Sequence, residues 1–131
     1  MIGIDTNILL RLLLDDDRAQ GARIETLFAT HVQSPGSALI ADVVLAETVW
    51  TLRAVYKQAK AALMTALRAL LAEPAYALES RAAVESAVQL YATGRAGFAD
   101  CLIVAKNSLA GCEFTARFDR SLRAVPQAKV L

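Results

Sequence analysis

The sequence predicts an α/β fold: a short, mostly parallel central sheet flanked by helices on both faces, in one domain of residues 1–131. Two observations predict it. Short apolar runs alternate with amphipathic segments of about ten to fifteen residues, the order that produces strand-helix-strand crossovers. A chain of 131 residues with 56% hydrophobic and 21% charged side chains is long enough for one core and too apolar for disorder. At this size roughly two thirds of the unfolded surface is buried, so neither a disulfide nor zinc is needed to hold the fold.

The elements follow in order. Residues 2–4 are apolar and run into Asp5-Thr6-Asn7 and then Ile-Leu-Leu-Arg-Leu-Leu-Leu, which predicts a strand, a polar turn and a helix over 8–14. Leu9, Leu10, Leu12, Leu13 and Leu14 nearly surround that helix, so part of it is expected to contact another subunit or a partner protein. Ala22, Ile24, Leu27, Phe28 and Val32 recur at helical spacing within 17–32, and Ser34-Pro35-Gly36 breaks the chain before a strand over 38–40. Asp42 is expected as the N-cap of the next helix, which carries Val43, Val44, Leu45, Val49, Trp50 and Leu52. A junction over 57–60 leads into an Ala- and Leu-rich helix over 61–72, ended by Pro74. A strand over 76–78, a helix over 82–91 ending before Gly94, and a helix opening at Gly97-Phe98 and running to Gly111 follow. Phe114 and Thr115 read as a strand and residues 129–131 as an edge strand.

Net charge is +1, from 14 basic and 13 acidic residues, which lacks the excess of a general nucleic-acid binder. Its distribution is uneven: from Arg95 onward come Arg95, Lys106, Arg117, Arg120, Arg123 and Lys129 against only Asp100, Glu113 and Asp119. Cys101 and Cys112 form no C-x-x-C pair and His31 is the single histidine, so no zinc or haem ligand set is present. That usage fits a reducing cytoplasm. No basic leader or cleavage site opens the chain, and no apolar run reaches the ~18 residues that span a bilayer. A soluble, cytoplasmic protein with no membrane partner is the expectation.

The carboxylates carry the chemistry. In an open α/β sheet, ligands bind beyond the carboxyl ends of the strands. Asp5 immediately follows the first strand and reads either as a helix cap or as a functional acid. Glu47 shares a helix face with Val43, Val44, Trp50 and Ala54, so its carboxylate is expected to point toward apolar neighbours, with Arg53 not placed to pair with it. Asp100 has Ala96, Gly97, Ile103 and Val104 one turn away and no lysine or arginine there, so a partner is required. Asp119, between Phe118 and Arg120-Ser121-Leu122, is a further cap or ligand.

Collected in one pocket, four acids repel unless a divalent cation neutralises them, and an oxygen-only ligand set favours Mg²⁺ or Mn²⁺. Such a site suits phosphodiester hydrolysis, with Thr6 and Asn7 holding a carboxylate or a water from one layer out. Arg117, Arg120 and Arg123 are candidates for phosphate contacts.

At these residues the sequence resembles the PIN-domain ribonucleases, in particular the VapC-type toxins of bacterial toxin–antitoxin pairs. Ile-Gly-Ile-Asp-Thr-Asn-Ile-Leu, Ala-Asp-Val-Val-Leu-Ala-Glu, Phe-Ala-Asp-Cys-Leu-Ile-Val-Ala and Phe-Asp-Arg-Ser-Leu match that family's four acidic motifs in order, across essentially the whole chain. The resemblance implies that Asp5, Glu47, Asp100 and Asp119 are the metal-binding catalytic acids of a single PIN-like nuclease domain. It also implies a homodimer, single-stranded or looped RNA as substrate, and a cognate antitoxin that blocks the site. Two positions depart from the pattern: Arg117 stands where the family often has threonine or serine, and Gly97 where it often has an extra aspartate.

Other readings are weaker. A haloacid-dehalogenase phosphatase needs a second aspartate where Asn7 stands, a receiver domain needs an acidic pair and a late lysine, and no glycine-rich phosphate loop is present. A catalytically inactive PIN-like module that binds RNA or protein is the alternative from another class. His31 is expected in a solvated loop, Cys101 and Trp50 in the core, and Asp15-Asp16-Asp17 at a solvated turn and cap.

Overall fold

A computed structural model describes residues 1–131, and the chain divides into two compact units, residues 1–79 and 80–131. The expected α/β class is observed: six helices and short parallel strands.

In the first unit, β1 (Ile2–Gly3), β2 (Ala38–Ile40) and β3 (Tyr76–Leu78) form a parallel sheet in that order, with Ile2 opposite Ala38 and Ala38 opposite Tyr76. Parallel neighbours need long crossovers, and helices supply both. The first comprises α1 (Thr6–Leu14) and α2 (Arg18–His31), the second α3 (Asp42–Ala54) and α4 (Lys60–Ala72). Gly36 enters β2 with φ at +69°, a left-handed conformation that glycine adopts without penalty, and its N–H donates to the Pro74 carbonyl (2.9 Å). Ile4, Leu9, Ile40, Leu45, Leu63 and Leu67 are among the buried side chains of this unit.

Helix α1 begins at Thr6, two residues earlier than periodicity alone suggests, because Asp5 itself is the cap: its Oδ1 accepts from the Thr6 N–H at 2.8 Å. Leu9 and Leu10 are buried while Leu12, Leu13 and Leu14 are only half-buried. Helix α2 is capped by Asp17, whose Oδ1 accepts from the Gln20 N–H (2.9 Å), and His31 is its exposed last residue rather than part of a loop. Replacing Asp17 with alanine strands that N–H, and a loss of about 1 kcal/mol in thermal unfolding is expected.

Two expectations about α3 are corrected. Asp42 is its first residue, not its cap; the cap position is Ala41, and the Asp42 N–H donates to Glu79 Oε1 (2.8 Å), at the carboxyl end of β3. The buried face of α3 is Leu45, Thr48, Val49 and Leu52, so the opposite stripe faces outward: Val43 and Glu47 are exposed and Trp50 is 64% exposed.

In the second unit, α5 (Arg81–Thr93) packs on α6 (Phe98–Leu109), with Tyr91 and Phe98 edge to face at 6.0 Å. Gly111, at φ +96°, follows the end of α6 and lets the chain reverse. The strand placed at Phe114-Thr115 is β4 (Thr115–Arg117), and it pairs in parallel with β5 (Ala128–Val130), Thr115 opposite Ala128. A short 3-10 helix, Arg120–Leu122, joins them and buries Leu122. Cys101 is buried, as expected of packing material. No helix is long and apolar enough to cross a membrane.

Candidate active site

Each acid singled out from the sequence occupies a position that the local fold dictates. Asp5 leaves β1 in an extended conformation, exposes its carboxylate and spends one oxygen on the Thr6 N–H. Thr6 beside it is buried and Asn7 is exposed. Glu47 stands on the outer stripe of α3, in water and without an ion pair, so the expected apolar setting is not found. The reason is that α3 carries two overlapping apolar stripes, and Leu45, Val49 and Leu52 take the inside.

Asp100 lies in the first turn of α6, and the partner its setting demands is Arg117. Arg117 Nη2 donates to Asp100 Oδ1 at 2.6 Å, with the two side chains 17% and 31% exposed respectively. Seventeen residues of sequence separate them. Arg117 keeps its Nε–H buried with no hydrogen-bond partner. Asp119 caps the 3-10 helix through the Ser121 N–H (2.8 Å). That backbone N–H holds the Asp119 carboxyl below its ordinary value of 3.8, and the Arg117 charge adds in the same direction.

The chemistry of the donor set fits a hard cation, since every candidate ligand is a carboxylate. The arrangement is less ready: no group of three or more His, Cys, Asp or Glu side chains stands assembled to hold a metal ion, and Asp100 already has a cation against it. A cleft of about 360 Å³ between α1 and α2 is lined by Asn7, Ile8, Arg11, Gln20, Arg23, Ile24 and Leu27, and none of the four acids lines it.

Residues 2–128 match the family model described as the PIN domain. The chain belongs to the PIN-domain family. No curated protein and no solved structure gives a significant match. The PIN domain is generally a nuclease fold, and its members are typically metal-dependent nucleases that bind RNA.

Two further residues of this PIN domain stand out in the structure. Glu79 is an acid directly after β3, as Asp5 is an acid two residues after β1, and it holds the start of α3 through the Asp42 N–H. Phe118, between Arg117 and Asp119, is 82% exposed, and its signal was an aromatic inside a basic stretch.

Proposed function

We propose that this PIN domain is a metal-dependent endoribonuclease acting on RNA phosphodiesters, and the toxin of a type II toxin–antitoxin pair. The observation that carries the reading is the PIN match over residues 2–128, within which the four acidic motifs recur in order. Asp5, Glu47, Asp100 and Asp119 are the catalytic acids and the residues that would hold Mg²⁺ or Mn²⁺. When bound, that ion supplies a water acidic enough to attack at neutral pH and a charge that offsets the leaving oxygen.

The chain's own residues do the rest. Asp5, pinned by the Thr6 N–H, is fixed in direction as a cap, which pre-orients its second oxygen. Thr6 and Asn7 orient a neighbouring carboxylate or water. Arg120 and Arg123, both exposed on the segment after Asp119, take RNA phosphates. Replacing each with alanine should flatten the salt dependence of RNA binding, by roughly 0.7 in the log–log slope for each single-strand phosphate no longer neutralised. The half-buried Leu12, Leu13 and Leu14 and the outward Val43 and Trp50 are surfaces for a second copy and for the antitoxin.

The Asp100–Arg117 pair favours an inactive RNA- or protein-binding module, for which the guanidinium would stand permanently in place of a metal. An RNA cleavage assay separates the readings. Cutting that appears with Mg²⁺ or Mn²⁺, stops with a chelator and is lost in Asp5→Asn supports the nuclease. RNA bound but uncut at saturating metal would establish the inactive module instead.

A further inference from the structure

The contact between Asp100 and Arg117 is held by the register of two elements. Thr115 and Arg117 are two residues apart on β4 and share a face; Asp100 and Asn107 are two helical turns apart on α6 and share a side. Asn107 Nδ2–H donates to Thr115 Oγ1 at 3.1 Å, and Arg117 Nη2–H donates to Asp100 Oδ1 at 2.6 Å. The strand is thus pinned to the helix at two points, and the second is a charge-assisted bond.

Arg117 is nevertheless only half satisfied. Arg–carboxylate pairs frequently close as a fork, with two parallel N–H bonds, whereas here one N–H reaches Asp100 and the buried Nε–H has no partner. A guanidinium has no lone pair with which to ligate a cation, and its positive charge against Asp100 repels a divalent ion that approaches the same carboxylate. Metal and Arg117 therefore compete for one carboxylate. The two non-bridging oxygens of a phosphodiester offer the doubly accepting partner that the fork lacks in this pose.

We infer that Arg117 is a built-in counter-ion that keeps Asp100 closed to a divalent cation until an RNA phosphate draws the guanidinium away, so that substrate binding and metal loading are coupled. The inference rests on Asp100 being a metal ligand. By linkage, nucleic acid then tightens metal binding and metal tightens nucleic-acid binding by the same factor.

The test is a Mn²⁺ titration, read from the electron paramagnetic resonance of free Mn²⁺. It compares the wild-type chain, Arg117→Gln, Asp100→Asn and the double variant, with and without a single-stranded oligodeoxynucleotide confirmed to stay uncut. Arg117→Gln should bind Mn²⁺ about tenfold tighter than wild type, within the usual range of coupling between sites. The oligonucleotide should tighten wild type by a similar factor and leave Arg117→Gln unchanged. Equal affinity in wild type and Arg117→Gln, with Asp100→Asn weaker than both, overturns the counter-ion role and leaves the metal site standing. Affinities indifferent to Asp100→Asn in either background overturn both. Circular dichroism checks that Arg117→Gln is folded. If it is not, guanidinium ¹⁵N spectra of the wild-type chain decide: the Arg117 Nε resonance should move when Mg²⁺ and the oligonucleotide are added together, and a resonance that stays fixed through saturation refutes the exchange.

Discussion

Asp100→Asn is expected to slow RNA cleavage by at least about a hundredfold, a loss of ~3 kcal/mol on the scale of single electrostatic contributors to a transition state. Asparagine keeps the shape of the side chain and an oxygen for the Arg117 N–H, but it removes the charge that would hold a hard cation. From sequence, an unpaired buried carboxylate implies that such a change leaves the fold intact or even relieves it. The structure reverses that expectation, because the charge has a partner at 2.6 Å. Neutralising Asp100 takes from the largely buried Arg117 the carboxylate charge it donates to, and a cost of about 1–2 kcal/mol in unfolding free energy is expected. Asp5→Asn is the informative comparison, since Asp5 is exposed and pairs only with the Thr6 N–H. It should lose as much activity with a smaller change in melting temperature. Near-wild-type cutting by either variant would remove that acid from the mechanism.

The second large effect is on stability. Leu122 is 1% exposed and is the buried anchor of the 3-10 helix that Asp119 caps. Leu122→Ala should cost about 2–5 kcal/mol, the range for emptying a well-packed leucine site. The melting temperature should fall by roughly 10 °C for a chain of this size. The effect is expected to reach the site as well. With the 3-10 helix loosened, the Ser121 N–H no longer holds the Asp119 carboxylate, and its pKa should rise back toward 3.8. Linkage gives the sign in the intact chain: a carboxyl whose folded pKa is lowered adds stability above 3.8 and loses it as pH falls through the folded value. A carbon-detected titration of Asp119 in both chains checks this, and identical titrations would show that the cap does not depend on Leu122.

What the sequence disclosed and what it hid follow from the range of the interactions. Helices and strands came from periodicity and punctuation, which are local: Asp17 before α2 and Ser34-Pro35-Gly36 before β2 each act within a few residues. The start of α3 departs from the local pattern because the acid that accepts from the Asp42 N–H, Glu79, is 37 residues away and no local pattern encodes it. The orientation of α3 was undetermined for a different reason. The stripe of Val43, Glu47, Trp50 and Ala54 and the stripe of Leu45, Thr48, Val49 and Leu52 both satisfy helical spacing, and only tertiary packing chooses between them. The need for a partner at Asp100 was legible from its neighbours on the helix. That the partner is Arg117 was not, because it depends on β4 lying along α6.

The central proposal is that Asp5, Glu47, Asp100 and Asp119 would serve one hard cation. Paramagnetic broadening of backbone NMR signals by substoichiometric Mn²⁺, with a single-stranded oligonucleotide present, tests it most directly. The signals of these four residues are expected to fade first and together. Fading that begins instead at Asp15, Asp16 and Asp17, or that spreads evenly over exposed carboxylates, would contradict it.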